Sequence, residues 1–243
     1  MERKIWNVFP QLTEQVWADH RDAGMLGGHH DPDHVMRVGQ MALEFGGEVG
    51  GASGLVHNAD RILQKRLGIG RRDVPEGAIR DLVLSQLRAQ PHEFREKEDE
   101  LIVDAVLGHN RENRDDDSPV LVALMDADRL VNAEEDLVIR SAQNYFDLPP
   151  IDPVFFDKDP TANYRDPKSV LRDIMETLEW LTPGTPFYVR LPKAREMAVE
   201  RREFFEDYVE RIIRRRAAMG FHPYPPELIA LREKFAPTTP TTK

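Results

Sequence analysis

Four residues of this sequence combine metal-ligating chemistry with a setting that suits it: His34, His57, His109 and Asp128. His34 shares a helical face with Val38 and Met41, His57 follows the apolar run Gly54-Leu55-Val56, His109 comes a turn after Ala105 and Val106, and Asp128 comes a turn after Leu124 and Met125. Such groups at the edges of apolar stripes on separate helices are what a metal site in a bundle core requires, because facing helices must project their ligands inward. Imidazole plus carboxylate suits Mn, Fe, Zn, Co or Ni, with Mg admissible where oxygen ligands dominate. Taken singly, each residue reads as an ordinary hydrogen-bonded core group, and Asp128, close to Asp126 and Arg129, reads as a salt bridge or cap. Their convergence depends on the elements that carry them.

Those elements are expected to be helical, giving an all-α fold. Val35, Val38, Ala42 and Phe45 recur at helical spacing behind "DPDH", which offers Asp31 as N-cap and Pro32 at the first helical position. This helix is expected to stop at Gly46-Gly47. Leu55, Val56, Ala59, Ile62, Leu63 and Leu67 predict a second helix closed by Gly68. "VPEGAIRDLVLSQLRAQ" and "EKEDELIVDAVLGH" predict a third and a fourth, each acidic near its start as the helix dipole prefers. "SPVLVALMDADRLV" predicts a fifth, capped by Ser118. No period-2 strand is evident, and "PFYVRL" is read as loop or an isolated extended piece.

Residues 148–168 hold five prolines and no periodicity, predicting a long connection after a helical domain over 1–147. Beyond it, "SVLRDIMETLEWL" and "LPKAREMAVERREFFEDYVERIIRRR" return to helix within a segment of 169–235 expected to pack on the same core. One stripe is expected to run through Ala194, Met197, Ala198, Phe204, Phe205, Tyr208, Val209, Ile212 and Ile213. Residues 236–243 are expected to be a disordered tail. Arg214 to Arg216 end the long helix, where cations complement the dipole.

Composition narrows the chemistry. Zero cysteines exclude disulfides, thiolate ligands and a cysteine nucleophile, so any metal must be held by imidazole and oxygen ligands. Acidic residues outnumber basic ones, 43 against 33, and the net charge of -10 argues against a nucleic-acid-binding surface covering the whole protein, with a local basic patch left open. With no apolar leader and no long apolar run, the expected setting is cytoplasmic, without a membrane partner.

In order along the chain, "HDPDHVMRV", "GLVHNADR", "VLGHN" and "LMDADRL" resemble the HD-domain superfamily of metal-dependent phosphohydrolases. The likeness covers roughly residues 20–135, and "AREMAVERREFFEDYVERI" extends it to about residue 215. The resemblance implies an HD-like helical domain with an α-helical C-terminal extension and a divalent metal ion as cofactor. It implies His34 and His57 as metal ligands, Asp128 as the last ligand, and His109 as a second-metal ligand or phosphate contact. Arg37 and Arg61 would hold phosphate oxygens. The aspartate of the family's His-Asp pair falls on Asn58, which could still coordinate through its amide oxygen. The exchange removes one negative charge. At an effective dielectric of about 20, a unit charge about 4 Å from a divalent ion is worth roughly 8 kcal/mol gross, before desolvation offsets most of it. Asp60, three residues after His57 on the same helical side, is expected to supply that charge or to act as base, with Asp126 the next choice.

The expected function is metal-dependent hydrolysis of a phosphate ester, nucleotide or phosphodiester, acting on a small phosphorylated or nucleotide substrate. The alternative is a weakened or inactive HD-like protein that serves as a nucleotide-binding or regulatory module. A homo-oligomer is left open.

Overall fold

A computed structural model describes residues 3–91, 94–151 and 166–220. The described residues are helical with no strand, so the fold is all-α. The chain divides into two compact units, Met1–Val131 and Asn132–Lys243. That division falls upstream of the boundary expected from the proline-rich stretch. Most of residues 148–168, the whole of 236–243 and the end of the segment 169–235 lie outside the described residues.

The first unit begins with two helices that the sequence reading did not place, α1 (Ile5–Val8) and α2 (Pro10–Asp22). Pro10 stands in the first turn of α2, where its missing N–H costs nothing. The N–H groups of Gln11 and Leu12 both donate to Gln90 Oε1 at 3.1 Å, which satisfies donors that a helix start leaves open.

α3 (Pro32–Val56) is a helical hairpin rather than a rod. Asp31 caps it as expected, its side chain accepting the His34 N–H at 2.9 Å. Gly47 then takes φ 66° and ψ -158°, a conformation that a Cβ would strain, and the chain reverses. The returning arm, 48–56, lies against the first so closely that a Cβ on Gly54 would stand 2.7 Å from the Gly39 Cα, and one on Gly50 would stand 2.6 Å from the Ala42 carbonyl oxygen. The pairing of 42 with 50 and of 39 with 54 runs antiparallel. It carries the start of the first arm, with His34, back beside the end of the second, with His57.

The predicted second helix is broken. α3 ends at Val56, His57 and Asn58 form a turn, and α4 (Ala59–Leu67) starts afresh. Gly68 closes α4 in the left-handed conformation, as its residue type suggested. α5 (Glu76–Leu87), α6 (Glu96–Gly108) and α7 (Pro119–Asn132) follow the predicted third, fourth and fifth helices. Ser118 Oγ accepts the Leu121 N–H at 3.2 Å and so caps α7. One core gathers Phe9, Leu12 and Val16 with Leu55, Val83 and Ile102; a second gathers Val38, Ala42 and Ala105 with Leu124 and Met125 of α7.

The second unit contains α8 (Leu137–Asn144), α9 (Val170–Thr177) and α10 (Pro192–Ala218). Ser169 caps α9 by accepting the Arg172 N–H at 3.2 Å. The buried stripe of α10 is narrower than expected: Ala194, Ala198, Phe205, Val209 and Ile213 are buried, whereas Phe204 is exposed. Residues 186–191, "PFYVRL", form no strand. Among the described residues, no helix is long and apolar enough to cross a membrane.

Candidate metal centre

His34 lies in the first turn of α3 and is fully buried. Its Nε2 is 3.2 Å from Asp128 Oδ1 on α7. His57, buried at the end of the hairpin's second arm, places its own Nε2 3.7 Å from the same oxygen. One potential ligand atom from each of the three residues lies within 4.8 Å of the other two, so the group could hold a metal ion. Nitrogen and oxygen ligands about 2.1 Å from a divalent ion stand roughly 3.0–3.4 Å apart, which is close to the two separations from Asp128.

Local backbone fixes the His57 ring. The Nδ1–H donates to the Gly54 carbonyl at 2.7 Å, which leaves Nε2 with the lone pair of the neutral imidazole. That nitrogen is buried and has no hydrogen-bond partner among the described residues. A backbone carbonyl on one ring nitrogen and an open lone pair on the other is how proteins orient metal-binding histidines. The donor set therefore fits a divalent ion, and three protein ligands leave coordination positions open.

Asp128 is surrounded by imidazoles. Burial works to raise its carboxyl, but the hydrogen bond from His34 and the positive character of His57, His34 and His109 outweigh burial and hold it well below the usual carboxylate range. It is an anion on the histidines' side of α7, where a cation would be drawn.

His109, at the C-terminal end of α6, stands edge-on to His57 with ring centroids 5.4 Å apart. Its Nδ1–H donates to the Val106 carbonyl at 2.6 Å, and its Nε2 lies 2.7 Å from the Asn110 side-chain nitrogen, from which it accepts. Burial, and then the neighbouring His57 ring, push its pKa down to about 4, so it is neutral near pH 7. Its place is beside the three-residue group rather than within it.

Asn58 is the N-cap residue of α4, yet its side chain makes no capping bond. Its backbone carbonyl accepts from the N–H groups of Arg61 and Ile62, both at 3.0 Å, while the buried amide nitrogen has no partner among the described residues. Asp60 does not join the three ligands. The break at 57–58 sets it in the first turn of α4, where its Oδ2 accepts from Arg71 Nε at 2.9 Å. Burial raises the Asp60 carboxyl, but His109, Arg71 and Arg61 together outweigh it and leave its pKa below the ordinary value. Arg61 also acts electrostatically on His30, whose ring stands 5.9 Å from that of His34. Arg37 instead pairs along its own helix with Asp33 at 3.0 Å. Asp126 is fully buried on α7. Arg129 turns to the connection after α6, donating to Asn113 Oδ1 at 2.7 Å and to the Arg111 carbonyl at 3.0 Å.

Sequence reasoning missed Arg71, which has no motif of its own, and gave no role to Asn110, the last residue of "VLGHN". No family model matches this chain, and no curated protein or solved structure matches it either.

Proposed function

We propose that the first unit is a metal-dependent phosphohydrolase of the HD type, acting on a phosphate ester, nucleotide or phosphodiester. The observation that carries this reading is the convergence of two buried imidazoles, from the first turn of α3 and the turn that follows it, and one half-buried carboxylate of α7. His34, His57 and Asp128 would hold the ion. Bound there, a divalent ion supplies Lewis acidity, lowering the pKa of a water ligand and polarising a phosphoryl oxygen.

The remaining residues divide the other tasks. Asp60 stays ionised near neutral pH, where the guanidinium groups of Arg71 and Arg61 favour its anion, so it contributes negative charge more readily than proton uptake. His109 keeps its position through Val106 and Asn110 and offers a neutral ring edge beside the ligands. Arg61, near His30 and Asp60, is the better placed of the two arginines to meet a phosphate oxygen, since Arg37 is engaged with Asp33. The unpartnered amide N–H of Asn58 suits the same anion.

The second reading, a nucleotide-binding or regulatory module, rests on that same Asn58, which leaves the ligand set with one carboxylate fewer than the family pattern. Elemental analysis of protein purified without chelator or histidine tag, followed by a phosphoester screen with the metal found, separates the two. Near-stoichiometric metal with hydrolysis that His57→Ala abolishes supports the enzyme. Nucleotide-induced thermal stabilisation in chelator, with no turnover under any metal, supports the module.

A further inference from the structure

The chain holds two His-Asn pairs of the same build, His57-Asn58 and His109-Asn110. Each histidine is the residue that ends a helix, His57 after α3 at φ -63° and ψ -25°, His109 after α6 at φ -65° and ψ -20°. Each ring is fixed by the carbonyl three residues back, that of Gly54 at 2.7 Å and that of Val106 at 2.6 Å. A carbonyl can only accept, so in both neutral rings Nδ1 carries the hydrogen and Nε2 the lone pair that a metal ion would use. The two rings touch edge to face, with centroids 5.4 Å apart. Sequence, backbone and tautomer therefore qualify the two histidines equally as ligands.

What separates them is the asparagine that follows. Nε2 of His57 is buried without a hydrogen-bond partner among the described residues, and His57 belongs to the group that could hold an ion. The Asn58 amide nitrogen is likewise buried without a partner, so it does not bond that ring nitrogen. Nε2 of His109 instead has the Asn110 amide nitrogen 2.7 Å away. Only the NH₂ end of the carboxamide can satisfy a lone pair, and its hydrogens are the positive end of the group. A cation at His109 is thus opposed by the same N–H that satisfies the nitrogen. His109 is buried, whereas Asn110 is exposed in the turn after α6, so replacing Asn110 removes no core packing.

We infer that Asn110 sets which histidines serve as ligands at the centre: its side-chain amide, held on Nε2 of His109, keeps that ring out of the ligand set. Asn110 is a positioning residue, acting through His109. The natural centre then consists of His34, His57 and Asp128 with coordination positions left open, and His109 is a ligand in reserve. A neutral hydrogen bond shifts an equilibrium by up to about 10-fold, so the restraint is one of affinity and operates at stoichiometric metal. This inference rests on the metal-binding reading above.

Protein labelled with ¹⁵N-histidine tests it without any need for turnover. Long-range ¹H–¹⁵N spectra report whether each Nε2 is bare, hydrogen-bonded or metal-bound, with the His109 signal assigned by its loss in His109→Gln. Stoichiometric zinc should shift His34 and His57 as ligands in the natural protein and leave His109 unmoved. In Asn110→Ala the same zinc should give His109 a ligand-sized shift as well. A ligand-sized shift of His109 in the natural protein overturns the inference, and so does an unmoved His109 in Asn110→Ala beside responding His34 and His57. Either result leaves the metal site standing. If no ring responds in either protein, the metal reading falls and the inference with it.

Zinc affinities by chelator competition give a second readout. Asn110→Ala should bind about 10-fold more tightly than the natural protein, because His109 joins without first losing the amide. Adding His109→Ala to that variant should cancel the gain, which a merely structural role for Asn110 would not predict. Unchanged or weaker binding by Asn110→Ala overturns the inference, as does a gain that survives the loss of His109. Should Asn110→Ala fail to fold, Asn110→Ser, which also lacks the amide, carries the same expectations.

Discussion

Each unit of the molecule buries a polar cluster, and the two are built on opposite plans. In the second unit Ser141 Oγ donates to Asp173 Oδ2 at 2.6 Å, Arg172 Nε donates to Glu176 Oε1 at 2.7 Å, and Thr177 Oγ1 donates to the Asp173 carbonyl at 3.0 Å. Donors meet acceptors, and the cluster closes on itself. In the first unit the bare Nε2 of His57 lies 3.7 Å from a carboxylate oxygen of Asp128, to which His34 alone of the three can donate, so acceptors outnumber donors. The carboxylates register the difference. Burial pushes Asp173 up to about 6, only partly offset by the Ser141 hydroxyl and the Arg140 charge, whereas the imidazoles hold Asp128 well below its ordinary value despite burial. A closed cluster is complete as folded. One made of acceptors is completed by a cation or a donor from outside.

The largest effect that would break this contrast is loss of the cation site. Asp128→Ala should abolish metal-induced stabilisation, which for the natural protein at a free metal concentration of about 100 times Kd amounts to roughly 2.7 kcal/mol. Hydrolysis should fall with it. Asp173→Asn should leave metal-induced stabilisation unchanged. Thermal melts with and without zinc check both, and a metal response that survives Asp128→Ala would refute the convergent site.

Next in size, the open cluster depends on backbone contact far along the chain. A Cβ at Gly54 would press on the Gly39 backbone, so Gly54→Ala should cost about 1–3 kcal/mol in chelator and should weaken zinc binding as well, because His57 moves relative to His34. Gly27→Ala, where a Cβ meets nothing within 4 Å, should stay within about 0.5 kcal/mol. Denaturant unfolding together with zinc competition would show whether stability and affinity fall together, as the hairpin requires.

What could be read from the sequence follows the same line. Asp31 and Ser118 were legible as caps, and Gly68 as a helix stop, because such signals are local. The His34 and Asp128 positions were legible, through motif and apolar face, as members of a group that could hold a metal ion. The returning arm of the hairpin was not: 48–56 reads "EVGGASGLV", and three glycines at about 1 kcal/mol each against helix hide an element that close packing then enforces. The break after Val56 was equally hidden, since Val56, Ala59 and Ile62 continue an apolar period across it. That is why Asp60, expected on the same helical side as His57, lies on a separate helix and bonds to Arg71.

Acid separates the clusters by sign. The folded-state pKa of Asp173, about 6, lies above the ordinary 3.8, so between those values the folded protein holds a proton that the unfolded chain has released. Stability from this group is therefore present below the unfolded value and is lost as pH rises through about 6, by an amount on the order of 3 kcal/mol. Asp173→Asn cannot ionise. Its stability relative to the natural protein should climb between pH 4 and pH 7, less about 1 kcal/mol for a poorer bond to Ser141. Urea unfolding across that range checks the slope, and a flat difference would mean that the closed cluster carries no raised carboxyl.

Asn58→Asp gives the smallest expected change and the one most specific to the open cluster, because its sign should depend on metal. The new carboxylate would place an oxygen where the buried amide nitrogen now has no hydrogen-bond partner among the described residues, with Asp128 and Asp60 already negative in the same unit. In chelator the variant should be less stable than the natural protein, since a buried charge without a partner is costly. With zinc present the same charge faces a cation, and affinity should rise about tenfold, or roughly 1.4 kcal/mol, the residue of a much larger gross attraction after desolvation. The two proteins' order of stability should therefore narrow or reverse on adding metal. A variant that is destabilised equally with and without zinc would place Asn58 outside the reach of the ion, and would leave its unpartnered N–H as a contact for the anion alone.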